Sequence, residues 1–228
     1  MLGFVFLIIL ILLFVKIFII EKIHVDFRTF FKKGFEKLDD KFGLYCYTGK
    51  QGKGKTYSAI KFLIDRKKKD GYIILTNVWS FNYFTDTIYF EKIDEMIDFI
   101  LEHENDGKKY MIFFDEIFTI LEKKTAINKK ILSFLSQLRK RKILFITTAQ
   151  EWSEINITFR RYVRFQIDCN MFEFFKIAFI YNKINDGDQI RWNNDTQEFE
   201  APRVSANFAK CNKYIIDCYN TFETIKTS

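Results

Sequence analysis

The chain opens with an almost unbroken apolar run and then changes to alternating apolar and polar segments. Residues 1–20 contain a single charged side chain, that of Lys16. A helix over this run is roughly 30 Å long, which matches the thickness of a bilayer core. A signal peptide needs a basic start and a small-residue cleavage site, and the run ends directly in Glu21-Lys22 without either. The pattern therefore predicts a transmembrane anchor over residues 1–20.

Residues 21–42 mix large apolar side chains with basic ones. This mixture predicts an amphipathic juxtamembrane helix that lies on the membrane or leads into the next domain. Only the amino terminus precedes the apolar run, whereas lysine and arginine are concentrated at its end and beyond it. The positive-inside rule then predicts a single-pass protein with its N-terminus outside and its later residues in the cytoplasm.

Short apolar runs alternate with segments of helical periodicity in residues 43–228, which predicts one α/β domain. Apolar runs without alternation are typical of strands buried in a parallel sheet. The predicted strands are Gly43–Thr48, Tyr72–Val78, Lys109–Glu116 and Ile143–Gln150, and the predicted helices are 56–64, 91–104 and 128–141. Antiparallel strands are expected to complete the sheet at Val163–Cys169, Phe174–Tyr181 and Tyr214–Tyr219. The predicted fold class is a three-layer α/β domain with a mainly parallel sheet, preceded by one N-terminal transmembrane helix.

The connection between the first predicted strand and its helix carries the clearest chemistry. Its residues match the phosphate-binding loop pattern G-x-x-x-x-G-K-[ST] at every fixed position. They are Gly49, Lys50, Gln51, Gly52, Lys53, Gly54, Lys55 and Thr56, followed by Tyr57. Glycines let backbone N–H groups approach phosphates closely, and the following helix adds its positive N-terminal end. Lys55 is expected to reach the β- and γ-phosphates of ATP, and Thr56 to bind Mg²⁺, which defines a P-loop NTPase.

The strand predicted over 109–116 ends in two carboxylates, Asp115 and Glu116. In an open α/β sheet that end faces the ligand. Asp115 is therefore predicted to hold Mg²⁺ through water, and Glu116 to polarise the water that attacks ATP. This second acid favours hydrolysis over transfer to a small substrate.

Two further positions are candidates for contact with the γ-phosphate. Gln150 follows the fourth predicted strand, where a sensor of the phosphate or of water is expected. Arg160 and Arg161 come next, and either is a candidate for an arginine that stabilises the transferring phosphoryl group from a neighbouring subunit. The simpler interpretations are that Gln150 is an amide at a strand end without a special role, and that the two arginines form ordinary salt bridges.

Composition adds two constraints. The formal net charge of +7 fits contact with nucleic acid or anionic lipid without proving either. The four cysteines have no CxxC spacing and are expected to be reduced, buried thiols in a cytoplasmic domain.

Taken in chain order, the motifs resemble those of the zonular occludens toxin-like ATPases. This family includes the filamentous phage assembly protein and is related to the FtsK/HerA class of DNA-pumping motors. The resemblance covers about residues 43–225. It rests on the phosphate loop, Thr76-Asn77 at a strand end, the Asp-Glu strand, Gln150, the Phe-Arg-Arg-Tyr-Val segment from 159 to 163, and a C-terminal segment from Asp217 to Thr221.

The resemblance implies an ATPase ring in the host membrane, or in a virion membrane, that drives phage DNA packaging, export or virion assembly. It implies ATP and Mg²⁺ as cofactors, DNA bound without sequence preference, and viral coat or assembly proteins as further partners. It implies Lys55 and Thr56 for nucleotide and metal, Asp115 and Glu116 for hydrolysis, Gln150 as sensor and Arg160 as finger. Filamentous phage members commonly place the ATPase domain before the membrane span, with an external domain after it. Here the predicted span comes first and no external domain is expected, which favours a single-membrane host or a packaging role.

Other classes of protein explain the motifs less well. A GTPase needs a guanine-reading N-K-x-D, and Asn182-Lys183-Ile184-Asn185 ends in Asn. A transporter ATPase needs a signature sequence that is missing between the phosphate loop and the Asp-Glu strand. The remaining alternative is a non-viral, membrane-associated P-loop NTPase or kinase that acts on a small molecule or a protein. Stimulation of ATP hydrolysis by DNA separates a DNA motor from a kinase or a scaffold.

Overall fold

A mainly parallel β-sheet organises the computed structural model, which describes residues 2–16, 23–25, 42–117, 127–189, 191–193 and 198–219. The strands are β1 (Ile23–Val25), β2 (Gly43–Thr48), β3 (Ile73–Thr76), β4 (Ile88–Tyr89), β5 (Tyr110–Phe114), β6 (Leu144–Ala149), β7 (Val163–Phe174), β8 (Ile177–Asp186), β9 (Arg191–Asn193), β10 (Glu198–Glu200) and β11 (Arg203–Lys210). The α-helices are α1 (Leu2–Phe14), α2 (Lys55–Asp70), α3 (Ile93–Glu102), α4 (Lys129–Gln137), α5 (Ile157–Arg160) and α6 (Lys213–Ile216).

The main sheet has the strand order β1-β11-β8-β7-β2-β6-β5-β3-β4 among the described residues. All strands from β7 to β4 run parallel. Beyond β7 the sheet continues with β8 and β11, each antiparallel to the strand before it. β6 lies between β2 and β5, so the carboxyl ends of these three strands meet at one edge. That edge is where sheets of this kind bind ligands.

Helices cover both faces of the parallel strands, because successive side chains of a strand point to opposite faces. Tyr45 of β2 points into the core formed with α2, where its ring stacks on that of Phe62 with centroids 5.3 Å apart. Leu44, its neighbour, points into the other core, which contains Ile97 of α3 and Phe134 of α4. The predicted three-layer α/β arrangement and its four parallel strands are confirmed.

The predictions for the C-terminal part need three corrections. The strand predicted over Phe174–Tyr181 is β8, which begins only at Ile177, after a turn at Phe175 and Lys176, and continues to Asp186. The strand predicted from Val163 is β7, which pairs parallel with β2 and antiparallel only with β8. Residues 214–219 do not form a strand: Asn212 caps a helical turn there, its side chain accepting a hydrogen bond from the N–H of Tyr214 at 2.9 Å. The third strand of this region is β11, whose mixed polar and apolar sequence did not indicate a strand.

The N-terminal region differs in part from its prediction. The described helix α1 spans 13 residues, and its apolar side chains from Phe6 to Leu13 are 42–66 % exposed. No helix in the described part of the chain is both long and apolar enough to cross a bilayer. Ile23–Val25, predicted to be helical, form β1 instead, because β11 offers them a sheet edge with which they pair in parallel. The rest of the predicted helix over 21–42 lies outside the described residues.

All four cysteines are free thiols, as predicted. Cys46, Cys169 and Cys218 are buried, and Cys211 is half-buried. Burial raises the pKa of the Cys211 thiol to about 12 and that of Cys218 to about 11, so these thiols stay neutral and pack as small apolar groups.

Candidate nucleotide site

The phosphate loop joins the end of β2 to the start of α2. Gly52 and Gly54 have φ angles of +77° and +80°, in the left-handed region that favours glycine. A Cβ atom on Gly54 would also lie 2.8 Å from the Met171 methyl carbon and 3.1 Å from its Cβ. The loop therefore follows a path that only glycine allows without strain, and β7 forms its side wall.

The Lys55 side chain turns back toward this loop. Only 9 % of the residue is exposed, and its Nζ donates to the carbonyl of Lys50 at 3.4 Å. The N–H of Lys53 donates to the same carbonyl at 3.1 Å, which closes the loop into a tight turn. The ammonium group is thus held inside the turn, beside the N-terminus of α2, where two sources of positive potential coincide.

Asp115 follows β5 and faces the first turn of α2. The Thr56 hydroxyl lies 3.4 Å and 3.5 Å from its two carboxylate oxygens, and the Thr148 hydroxyl donates to Asp115 Oδ1. Desolvation raises the pKa of Asp115 to about 6, with a further rise from Glu116. The hydrogen bonds from Thr148 and Thr56 and the charge of Lys55 oppose that rise. The predicted meeting of Thr56 and Asp115 is thus present in the fold.

The backbone of Asp115 is clamped by Asn77, which follows β3. Asn77 Oδ1 accepts from the N–H of Asp115 at 2.8 Å, and its amide nitrogen donates to the carbonyl of Asp115 at 3.2 Å. Two hydrogen bonds from one planar amide fix both the position and the orientation of a peptide. Asn77 therefore positions the acidic residue rather than facing the loop itself.

Glu116 has a φ angle of +54°, which is uncommon for a residue with a side chain. Its N–H donates to Thr148 Oγ1 at 2.8 Å. Thr148 belongs to β6, which separates β2 from β5, so one hydroxyl contacts both acidic residues. Asn77 belongs to one of the family motifs, and Thr148 is a polar residue near the end of an apolar strand. Neither signal indicates that these side chains hold the two acidic residues.

The loop residues Lys50, Gln51, Gly52 and Lys53 are exposed, as a ligand-facing loop requires. Gln150 lies beside the start of the loop, since its carbonyl accepts from the N–H of Gly49 at 3.2 Å. Tyr57 differs from the others: its side chain is buried in the core, and its hydroxyl accepts from the N–H of Asn212 at 2.8 Å. Only its backbone remains available to a nucleotide.

The two candidate arginines lie near the amino-terminal ends of the parallel strands, whereas the phosphate loop follows a carboxyl end. Arg160 ends α5, just before Val163, which pairs with Leu44 at the beginning of β2. The phosphate loop follows the end of β2, roughly 13 Å further along the strand at about 3.3 Å per residue. The Arg160 guanidinium lies over the Trp152 ring, 5.7 Å from its centroid, and Arg161 is exposed. The fold therefore separates both arginines from the phosphate loop of their own chain.

Residues 43–181 match the family model described as Zonular occludens toxin (Zot). The chain belongs to the zonular occludens toxin family.

No curated protein matches its sequence. Among solved structures, the N-terminal domain of zonular occludens toxin from Neisseria meningitidis aligns with 78 % of this chain and 98 % of its own, at 14 % identity and a TM-score of 0.49. The genome packaging NTPase B204 from Sulfolobus turreted icosahedral virus 2, solved with ATP-gammaS, aligns with 72 % of this chain and 97 % of its own, at 12 % identity and a TM-score of 0.51. The second similarity supports the P-loop NTPase fold.

The side chains at this edge fit a nucleoside triphosphate and Mg²⁺. Thr56 and Asp115 offer adjacent oxygen ligands, which suit a hard cation that is also held by phosphate oxygens. The positive φ angles of Gly52 and Gly54 leave the loop without side chains at these two positions, which allows a close approach of its backbone N–H groups to phosphates. The enclosed cation of Lys55 supplies the charge that a phosphate needs.

Proposed function

We propose that this zonular occludens toxin family member is an ATPase that powers phage DNA packaging, DNA export or virion assembly. One observation carries the proposal: Lys55, Thr56, Asp115 and Glu116 come from two separate motifs and meet at one sheet edge. Family membership supports the same proposal. The genome packaging role named for B204 supports the DNA substrate by analogy of fold alone.

The proposed roles follow from the contacts of each side chain. Lys55 and the loop N–H groups bind the β- and γ-phosphates, while Thr56 and Asp115 hold Mg²⁺. When bound, Mg²⁺ neutralises phosphate charge. Glu116 accepts a hydrogen bond from water and orients it for attack on the γ-phosphate. Gln150, next to Gly49, reports the state of that phosphate to the loop.

The proposal includes a membrane anchor formed by residues 1–20, with the ATPase domain on the cytoplasmic side. The exposed apolar side chains of α1 support it, because such a surface is normally covered by lipid or protein. The amphipathic residues 21–42 would then link the anchor to the domain. Deletion of residues 1–20 should release the chain from membranes into the soluble fraction, and retention after carbonate washing would contradict this anchor.

The proposal also includes a homo-oligomeric ring that grips DNA without sequence preference and contacts coat or assembly proteins of the virus. The net charge of +7 supports contact with phosphate backbones. The separation of Arg160 from its own loop supports shared sites, because an arginine at that edge would have to serve a neighbouring subunit.

The decisive experiment is ATP hydrolysis by the purified full chain with and without DNA. Hydrolysis that is abolished by Glu116→Gln and stimulated by DNA supports a DNA motor. Phosphoryl transfer to a small molecule or protein, without DNA stimulation, would instead support the kinase alternative. A native mass measurement on the same sample shows whether the active species is a ring.

A further inference from the structure

Two faces of the antiparallel extension differ in character. The side chains of β7, β8 and β11 that face α2 are buried and mainly apolar. The opposite face carries polar, basic and aromatic side chains, together with the buried Ala206, in three cross-strand rows. These rows are Asp168-Lys183-Ala206, Asn170-Tyr181-Phe208 and Phe172-Phe179-Lys210. We call this set of nine residues the aromatic face.

Three phenylalanines form a continuous cluster on the aromatic face. The ring centroids of Phe172 and Phe179 are 5.8 Å apart, and those of Phe179 and Phe208 are 5.6 Å apart with nearly parallel planes. Phe172 is 44 % exposed, and the other two are half-buried. An aromatic cluster that keeps contact with solvent is a surface on which other flat rings can stack.

Basic side chains surround this cluster. Lys183 and Lys210 belong to the aromatic face, Lys53 reaches it from the phosphate loop, and Lys176 lies in the turn between β7 and β8. Asp168 is the one acid among the nine residues, and it pairs in register with Lys183. Glu173 of β7 is a further exposed acid beside Phe172. The four lysines still outnumber the two acids, which suits an anionic ligand that also carries flat rings.

We propose that the aromatic face binds single-stranded nucleic acid, its bases stacking on the phenylalanine cluster and its phosphates contacting the lysines. Single strands expose their bases, whereas a duplex hides them between stacked neighbours, so aromatic stacking favours the single strand. This assignment rests on the proposed DNA function and adds to it a binding surface and a strand preference.

The same strand also connects this surface to the nucleotide site. Asn170 of the aromatic face accepts a hydrogen bond from Lys53 of the phosphate loop at 3.1 Å. Met171, the next residue, points to the other face and forms the wall beside Gly54. If bound nucleic acid shifts β7, Asn170 and Met171 would transmit the displacement directly to the phosphate loop. This contact gives a direct route for stimulation of ATP hydrolysis.

The test uses the full chain in detergent solution and a fluorescent single-stranded oligodeoxynucleotide. Phe172→Ala should weaken binding roughly tenfold, since one base–aromatic stack contributes about that much. Lys183→Ala should weaken binding and reduce the dependence on log salt concentration by about one unit. Both variants should keep the basal ATPase rate and lose stimulation by the oligonucleotide.

Two control variants remove an exposed aromatic side chain and an exposed lysine elsewhere in the chain. Trp79 is 56 % exposed and stacks on Tyr89 near the other end of the sheet, and Lys129 is an exposed lysine of α4. Trp79→Ala and Lys129→Ala should bind the oligonucleotide like the parent chain. Melting temperatures of all four variants identify any loss that comes from unfolding.

The possible outcomes separate this assignment from the proposed function. If the parent chain binds DNA and hydrolyses ATP but Phe172→Ala binds normally, the aromatic face is excluded and the motor remains. If DNA binding depends on Phe172 while no hydrolysis occurs, the aromatic face is supported as a binding surface and the proposed ATPase activity is contradicted. The assignment would be overturned if Phe172→Ala weakened the binding of duplex and of single-stranded DNA equally. It would also be overturned if this variant lost binding to anionic vesicles while its DNA binding stayed unchanged.

Discussion

The Thr148 hydroxyl joins Asp115 to Glu116: it donates to the carboxylate of Asp115 and accepts from the N–H of Glu116 at 2.8 Å. A hydroxyl has one donor and two acceptor sites, so it can satisfy both partners at once. It also holds Glu116 in a left-handed backbone conformation. The strand beside the acidic strand thus fixes the geometry of both acids.

Thr148→Val keeps the shape of the side chain and removes both hydrogen bonds. We expect destabilisation of about 1–3 kcal/mol, because the partly buried N–H of Glu116 and the carboxylate of Asp115 each lose a hydrogen-bond partner. ATP hydrolysis should fall by at least about tenfold, because a small misplacement of the acids lowers the rate steeply. Steady-state kinetics and thermal melts check this. Thr148→Ser, which keeps the hydroxyl, should stay near the parent, and equal effects in both variants would remove Thr148 from its positioning role.

Lys55→Ala and Glu116→Gln should abolish hydrolysis in different ways. In the proposed mechanism Lys55 contacts the phosphates, so its removal should weaken ATP binding as well as the rate. Glu116 is proposed to act on water, so Glu116→Gln should bind ATP normally and lose about 10²-fold or more in turnover. Nucleotide affinity measured on both variants distinguishes them. Equal loss of binding would show that Glu116 does not act on water.

The sequence could predict the parts of the site that lie within one motif. The phosphate loop and the strand ending in Asp115 are local patterns, and their meeting follows from parallel strands whose carboxyl ends share an edge. Thr148 could not be placed, because the insertion of β6 between β2 and β5 depends on strand order rather than on neighbouring residues. The same limit applies to Arg160, because the path of the chain from β6 to β7 decides at which end of the strands this residue lies.

Gly54→Ala should damage the loop more than an average glycine substitution. Alanine is strained at a φ of +80°, and its Cβ would lie 2.8 Å from the methyl carbon of Met171. We expect a loss of stability above about 1 kcal/mol together with weaker ATP binding. Met171→Ala in the same background removes the 2.8 Å contact but keeps the 3.1 Å contact with the Cβ of residue 171 and the backbone strain, so it should restore only part of the loss. Full restoration would show that backbone conformation at Gly54 is unimportant.

Asp115 should make the metal-free and nucleotide-free chain less stable above pH 6 than it would be with a neutral side chain. Its pKa is raised to about 6 in the folded chain, against an ordinary value of about 3.9 in an unfolded one. The folded state therefore binds the proton more tightly, and this group stabilises folding as the pH falls from about 6 to about 4. Asp115→Asn keeps an acceptor for Thr148 and removes the charge.

The variant should accordingly melt at a higher temperature than the parent at pH 8, with the difference shrinking between pH 6 and 4. Melts across this pH range, without Mg²⁺ or nucleotide, provide the measurement. Glu95→Gln, a change at an exposed carboxyl of α3, is the control for loss of one negative charge. A variant less stable than the parent throughout the range would mean that desolvation does not dominate at Asp115.

The position of Arg160 leads to a test of shared sites. Because β7 starts beside the beginning of β2, Arg160 lies at the edge opposite its own phosphate loop, and only a neighbouring subunit could bring a nucleotide to it. A finger supplied by a neighbour can contribute about 10³-fold or more to the rate, so an isolated subunit should be slow.

Arg160→Ala and Lys55→Ala chains should each be nearly inactive. Mixed together, they should regain partial ATPase activity, because some interfaces pair an intact loop with an intact finger. Arg161→Ala in the same mixing assay decides between the two arginines. Activity per subunit should also rise with protein concentration as rings assemble. If mixing restores nothing and activity per subunit is constant, each subunit acts alone, and Arg160 has a structural role that includes its contact with the Trp152 ring.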